Sequence, residues 1–143
     1  MTPREAPPES GPEWLRQRSP DSWIQQGLGE LGRARALLQA HDRSAGVVGL
    51  RRAAGMALNG ALAISWRPWG RTYVEHLQAL AEDPSVPEAV REAARVLNQI
   101  QLEQVPGVVR LTPPSESARW VDAAMTVMAH AYAVVHGSVG RGS

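Results

Sequence analysis

Apolar residues recur at helical spacing in five segments of the chain, and no segment shows the strict alternation that predicts a strand. The first predicted helix covers 20–40 and carries Ile24, Leu28, Leu31 and Leu38 on one stripe. A serine and an aspartate at its start are capping candidates, and the proline between them suits a first helical turn. We expect this stripe to face the core.

The second predicted helix, over 45–64, is built mainly from small residues. Ten of the nineteen residues from 45 to 63 are alanine or glycine. Val47, Leu50 and Leu58 supply the larger side chains of its predicted buried face. Because the distance between packed helices depends on the side chains at the contact, this helix is expected to lie inside a bundle.

Two shorter helices are predicted after a loop that is marked by proline and glycine. The third helix covers 72–81, with Tyr73 and Leu77 inward, and ends at an Asp-Pro pair. Residues 85–88 read Ser-Val-Pro-Glu, a capping-box pattern with proline in the first turn. The fourth helix is therefore predicted to begin there and to end before the Pro-Gly pair at 106–107.

The fifth predicted helix, over 115–136, follows an extended connector around 108–111 and carries two adjacent apolar stripes. Both stripes repeat at spacings of four and three: Val121, Met125, Met128, Tyr132 and Val135 form the first, and Trp120, Ala124, Val127, Ala131 and Val134 form the second. A helix with two such stripes is expected to be buried on a wide face.

These elements predict an all-α protein, an up-and-down bundle of about five helices that spans 19–136. Residues 1–18 are rich in proline and glutamate and are predicted to form a disordered arm. Within this arm, Trp14 and Leu15 are expected to dock on the body. Residues 137–143 are predicted to be a flexible tail.

Composition excludes several classes of chemistry. The 143 residues include no cysteine, and all 15 basic residues are arginine. Thiol catalysis, disulfides, iron–sulfur clusters, lysine Schiff bases and a lysine P-loop are therefore excluded. The four histidines show no metal-ligand spacing, so neither a metal nor another cofactor is expected.

Charge and hydropathy favour a cytoplasmic protein. The formal net charge is +1, and no apolar run reaches the length of about 18 residues that a membrane helix needs. The first residues lack the basic start and apolar stretch of a secretory signal. The arginine- and alanine-rich composition is typical of a GC-rich bacterial genome.

A loop at 65–71 holds an aromatic and basic cluster, Trp66, Arg67, Trp69 and Arg71. Indole rings can stack on unpaired bases, and guanidinium groups can bind phosphates or pair with the rings. The same residues can instead plug the end of the bundle, because two exposed tryptophans are costly. The cluster is the leading candidate for ligand contact, and both interpretations stay open.

Three polar residues of the second helix are further candidates for ligand binding. Arg51 and Arg52 belong to the basic stretch from 33 to 71, which is either a solvated helix face or a surface that suits phosphates or an acidic partner. Asn59 interrupts the small-residue face and is either part of a cleft or a buried group that needs hydrogen-bond partners.

Three segments in order resemble the HEPN superfamily of small helical bundles. The chain carries a leucine-rich first helix at 34–38, an alanine-rich second helix at 52–62 and a His-Leu segment at 76–80. The resemblance covers about 20–136. It implies a homodimeric helical domain.

Catalytic HEPN members are metal-independent ribonucleases with an Arg-x4–6-His motif near the start of a late helix. In this chain the one Arg-x4-His runs from Arg71 to His76, at the start of the third predicted helix, while the fifth helix offers His130. The resemblance therefore makes these three the candidate catalytic residues. The histidine would act as acid or base, and the arginine would offset phosphate charge.

Three functions follow as alternatives. The first is a non-catalytic HEPN-like interaction module that forms a homodimer and binds a protein or nucleic-acid partner. The second is a HEPN-type ribonuclease, the toxin of a toxin–antitoxin pair. The third is an RNA- or nucleotide-binding module that uses the loop from Trp66 to Arg71.

Overall fold

The structure is a computed structural model that describes residues 12–101 and 112–141, and its regular elements are all helices. They are α1 (Glu13–Arg16), α2 (Pro20–Gln39), α3 (Arg43–Ile64), α4 (Tyr73–Glu82), α5 (Glu88–Gln99) and α6 (Pro114–Arg141). No strand occurs within these two ranges. The predicted all-α class is confirmed.

The described residues form six helices rather than five, and the additional helix is α1. Leu15 is fully buried in a cluster with Trp23 and Leu62. The indole Nε1–H of Trp23 donates a hydrogen bond of 2.9 Å to the Leu15 carbonyl oxygen. This part of the predicted arm therefore packs on the body, as expected for Trp14 and Leu15, and residues 1–11 lie outside the described part of the chain.

The small-residue helix α3 is the centre of the bundle, because it contacts each of the other five helices. Its buried residues include alanines, glycines and leucines on several sides. At Gly55 the first residue of α4 comes so near that an added Cβ would lie 2.6 Å from the Cβ of Tyr73. The prediction that this helix lies inside the bundle is confirmed.

The ends of the long helices lie close to their predicted positions. Ser19 caps α2, because its hydroxyl oxygen accepts the backbone N–H of Ser22 at 3.1 Å. The last helix continues to Arg141, beyond the predicted end at residue 136, and the predicted connector around 108–111 lies outside the described residues. None of the described helices is long and apolar enough to cross a membrane.

The predicted capping box at 85–88 is wrong. Pro87 is the N-cap of α5 and gives no side-chain hydrogen bond, and the serine hydroxyl donates to Asp83 instead. A proline disfavours helical geometry at the residue before it, so the helix starts later than the pattern suggests. The observed capping box lies at the start of α4, between Thr72 and Glu75.

The monomer does not bury every residue of the predicted apolar stripes. Leu28, Met125 and Tyr132 were expected to face the core, but they are 48%, 47% and 53% exposed. The second stripe of α6 supplies most of its core contacts, including Ala124, Val127 and Ala131. The small residues of the second stripe therefore pack α6 against the core, and part of the first stripe stays at the surface.

Candidate functional site

A cleft of about 310 Å³ opens beside the last turns of α3. Its other walls come from the loop after α3, the turn between α4 and α5, and one side of α6. The polar groups that line it are Ser65, Arg67, Asp83, Ser85 and His130, and Trp69 adds an apolar wall. Three of the residues predicted from the sequence are therefore brought together here.

Asp83 provides the negative charge of the cleft. Its Oδ1 accepts two hydrogen bonds from Ser85, one from the hydroxyl at 2.7 Å and one from the backbone N–H at 2.9 Å. These bonds, with a smaller contribution from the charge of Arg67, hold the pKa of Asp83 below its usual value. The carboxylate is therefore ionised at neutral pH, and it lines the same cleft as the guanidinium of Arg67.

His130 contributes a half-buried imidazole to the same cleft. Burial lowers its pKa, and the nearby charge of Asp83 opposes this effect more weakly. The ring is therefore neutral near pH 7, and a neutral imidazole offers one hydrogen-bond donor and one acceptor.

The two tryptophans of the loop have different positions. Trp66 packs against the cluster that contains Leu15, Trp23 and Leu62. Trp69 packs against both that cluster and the main core, and it also lines the cleft. Both rings are partly buried, as the plug interpretation expects, and Trp69 is the ring that a ligand in the cleft can reach.

Arg71 and His76 make separate contacts within the protein. The guanidinium of Arg71 lies 5.5 Å from the centre of the Trp14 ring. His76 is 0% exposed, and its Nε2 lies 2.9 Å from the carbonyl oxygen of Gly70. Since a carbonyl only accepts, Nε2 carries the proton and donates. A fully enclosed imidazole cannot exchange protons with a substrate, so the geometry gives His76 the role of holding the loop to α4.

His76 should make the protein sensitive to acid. Burial lowers its pKa, and Nδ1 has no hydrogen-bond partner among the described residues. The unfolded chain therefore binds a proton below about pH 6.5 while the folded chain does not, so the free energy of unfolding falls by up to about 1.4 kcal/mol per pH unit. His76→Gln should flatten this acid limb in urea titrations at several pH values.

The control is the exposed His41, replaced by asparagine because the backbone there has φ of 65°. His41→Asn should keep the acid limb of the wild-type protein. An unchanged limb in His76→Gln would show that other groups cause the pH dependence.

The basic residues of α3 are occupied by contacts within the protein. Arg51 donates from Nε to the Leu97 carbonyl at 2.9 Å and from Nη2 to the Ile100 carbonyl at 2.7 Å. Arg52 pairs with Glu30 at 3.3 Å. None of these contacts involves the cleft, so Arg51 and Arg52 are not brought to the other predicted site residues.

Asn59, the third predicted polar group of this helix, is 2% exposed. Its Oδ1 has no hydrogen-bond partner among the described residues. It lies in the interior of α3 and is not one of the residues that line the cleft.

A second surface of interest lies where α2 and α6 run side by side. Asp21 contacts Nε2 of His136 at 3.0 Å, and the side chain of Met128 packs at Gly27. These two contacts show that the helices are antiparallel, and together they place Leu28 level with residues 127–129 of α6. Leu28 therefore lies between Met125 and Tyr132 along the helix axis.

We call this surface the α2/α6 face and define it by its three exposed apolar residues, Leu28, Met125 and Tyr132. A groove of about 410 Å³ extends it toward the start of α6 and is lined partly by Leu38, Val121 and Met125. Three large hydrophobic residues in one region are unusual for a surface that faces only water.

Sequence reasoning missed Asp83 and Ser85 as site residues, because the Asp-Pro pair was interpreted only as the end of a helix. The described residues contain no group of three or more His, Asp or Glu that could hold a metal ion. The groups that the cleft itself offers to a ligand are arginine, carboxylate, imidazole and hydroxyl.

Comparison with protein-family models, curated proteins and solved structures finds no match to this chain. The HEPN resemblance stays a prediction from the sequence. The function is therefore argued from the geometry of the two surfaces.

Proposed function

We propose that the protein is a HEPN-like, non-catalytic interaction module that forms a homodimer through the α2/α6 face. The observation that supports this proposal is the exposed apolar set of Leu28, Met125 and Tyr132. Each belongs to a stripe whose buried members lie in the core or pack against it, so the chain carries more ordered apolar surface than the monomer buries. Apolar burial is the main favourable term in association.

The charges of α2 favour a second copy of the chain as the occupant. Asp21 and Arg35 lie seven residues before and seven residues after Leu28, so all three share one side of the helix. A two-fold axis at Leu28 would set the α2 helices antiparallel and place each Asp21 opposite the partner's Arg35. Arg35 has no ion-pair partner among the described residues, and a self-complementary patch is what a two-fold dimer requires.

The size of this face also suits a dimer. The 20 residues of α2 give a length of about 30 Å. Two helices side by side make a strip about 20 Å wide, so each chain would bury about 600 Å² and the pair about 1,200 Å². This area reaches the lower end of stable interfaces.

Leu28→Arg should convert the dimer into a monomer, because it would bring two positive charges together at the two-fold axis in a desolvated contact. Sedimentation equilibrium at micromolar concentration measures this change as a halving of the mass. Val74→Arg is the matched control, since Val74 is 47% exposed on α4. It should leave the dimer intact.

The orientation has its own test. Arg35→Asp should weaken the dimer by placing like charges opposite each other, and adding Asp21→Arg should restore part of the affinity. A wild-type protein that is strictly monomeric at these concentrations would end the proposal. A dimer whose affinity is unchanged by Leu28→Arg and by Arg35→Asp would show that the interface lies on another surface.

The ribonuclease alternative is not the function we propose, because it needs His76 at the surface and the ring is enclosed. The cleft beside α3 does contain an arginine and a histidine, Arg67 and His130, together with the Asp83 carboxylate. That arrangement is better suited to binding, because a carboxylate at the same place repels phosphate.

A further inference from the structure

The cleft beside α3 stays open in the proposed dimer. His130 and Tyr132 are two positions apart on α6, which turns them about 200° apart around the helix axis. The α2/α6 face and the cleft therefore use opposite sides of α6. An occupant of the cleft has to be explained separately from self-association.

The charges of the cleft select against ions as ligands. An anion would meet the carboxylate of Asp83, and a cation would meet the guanidinium of Arg67. A neutral molecule with hydrogen-bond acceptors on one side and donors on the other can satisfy both groups. His130 adds one donor and one acceptor without adding charge.

The apolar part of the cleft favours a flat ligand. Leu58 and Leu62 form its floor together with Ala61, and the Trp69 ring forms a wall. Stacking on an aromatic side chain is one way in which proteins hold nucleobases. The volume of about 310 Å³ lies at the lower end for small-ligand sites, which suits a single ring system.

From these observations we propose that the cleft binds a guanine base, held against Trp69 between Asp83 and Arg67. Guanine carries two adjacent donors, N1–H and the N2 amino group, which a carboxylate can accept together. Its O6 and N7 are the acceptors that arginine binds in bidentate fashion. Both hydrogen bonds from Ser85 end on Oδ1, so the second oxygen of the Asp83 carboxylate keeps its lone pairs for the base.

Ligand-observed NMR on the full chain with guanosine, inosine and adenosine tests the assignment. Guanosine should bind, and inosine should bind about tenfold or more weakly, because it lacks the amino group that pairs with the carboxylate. Adenosine presents neither the donor pair nor O6 and should give no saturable signal. Equal affinity for the three nucleosides, or no binding of guanosine, would overturn the proposal.

Two variants separate the site from the fold. Asp83→Asn keeps an oxygen that can accept from Ser85, so the turn should persist, but it loses one acceptor and should weaken guanosine binding about tenfold or more. Glu82→Gln removes the neighbouring carboxylate, which does not line the cleft, and should bind as the wild type does. Wild-type affinity in Asp83→Asn would contradict the proposal.

The base can come from a free nucleoside or from an unpaired position in RNA. Titration with the pentanucleotides UUGUU and UUUUU distinguishes the two sources. If UUGUU binds more tightly than both UUUUU and guanosine, the cleft is assigned to RNA. If UUGUU binds more weakly than guanosine, the cleft is assigned to the free nucleoside. Monomeric variants such as Leu28→Arg should retain guanosine binding, so failure of the dimer leaves this test intact.

Discussion

Gly55→Leu is expected to lower the free energy of unfolding by about 3 kcal/mol or more, because the added side chain occupies the position of Tyr73. The conflict begins at the Cβ atom, which would lie 2.6 Å from the Cβ of Tyr73. A Cβ cannot rotate away, so the start of α4 has to move. Urea unfolding followed by circular dichroism measures the loss, which is a large share of the stability of a domain this size.

The matched control is Gly29→Leu on α2. A Cβ at Gly29 would meet only the guanidinium of Arg33, at 3.6 Å, which is an ordinary contact. Leucine is a better helix former than glycine by up to about 1 kcal/mol, so this variant should be neutral or more stable. Similar losses in both variants would show that Gly55 does not set the distance between α3 and α4.

Arg51→Met is expected to lower the free energy of unfolding by about 2 to 4 kcal/mol, because it leaves the Leu97 and Ile100 carbonyls without their donor. These carbonyls end α5, and the last carbonyls of a helix have no partner within the helix. Methionine retains much of the apolar stem of the side chain, so the loss reports the hydrogen bonds. Arg51→Lys should recover only part of it, since one ammonium replaces a two-pronged donor.

Arg52→Met provides the comparison at the next position. The Arg52 side chain is 44% exposed and pairs with Glu30 at 3.3 Å. Exposed ion pairs contribute less than about 1 kcal/mol, so the two neighbouring arginines should differ clearly in the same denaturation experiment. Equal effects at both positions would mean that the hydrogen bonds from Arg51 to the last carbonyls of α5 do not stabilise the fold.

The helices were predictable because each depends on local sequence. The periodicity of α2 and α3, the Ser19 cap and the Asp-Pro stop all act within a few residues of the position they determine. The capping box was placed at the wrong helix because Ser85 had a closer competitor in Asp83. The Thr-x-x-Glu pattern at 72–75 was present in the sequence, and its signal was the same as the one assigned to 85–88.

The candidate site was less predictable because it depends on which side of each helix meets its neighbours. Leu28 and Leu31 are equivalent in the sequence pattern, but Leu28 is exposed and Leu31 is buried in the main core. Arg51 and Arg67 were both interpreted as ligand-binding residues. The structure places Arg51 at the end of α5 and Arg67 in the cleft, a difference that requires contacts between residues distant in the chain.

The attachment of α1 decides where a recombinant fragment of this protein can begin. Leu15 completes a small cluster with Trp23 and Leu62, and its carbonyl satisfies the Trp23 indole. A fragment that started after residue 18 would present both side chains to water and leave the indole N–H to find another acceptor. Such a fragment would expose apolar surface that promotes aggregation, so a fragment for biophysical work should begin at or before Pro12.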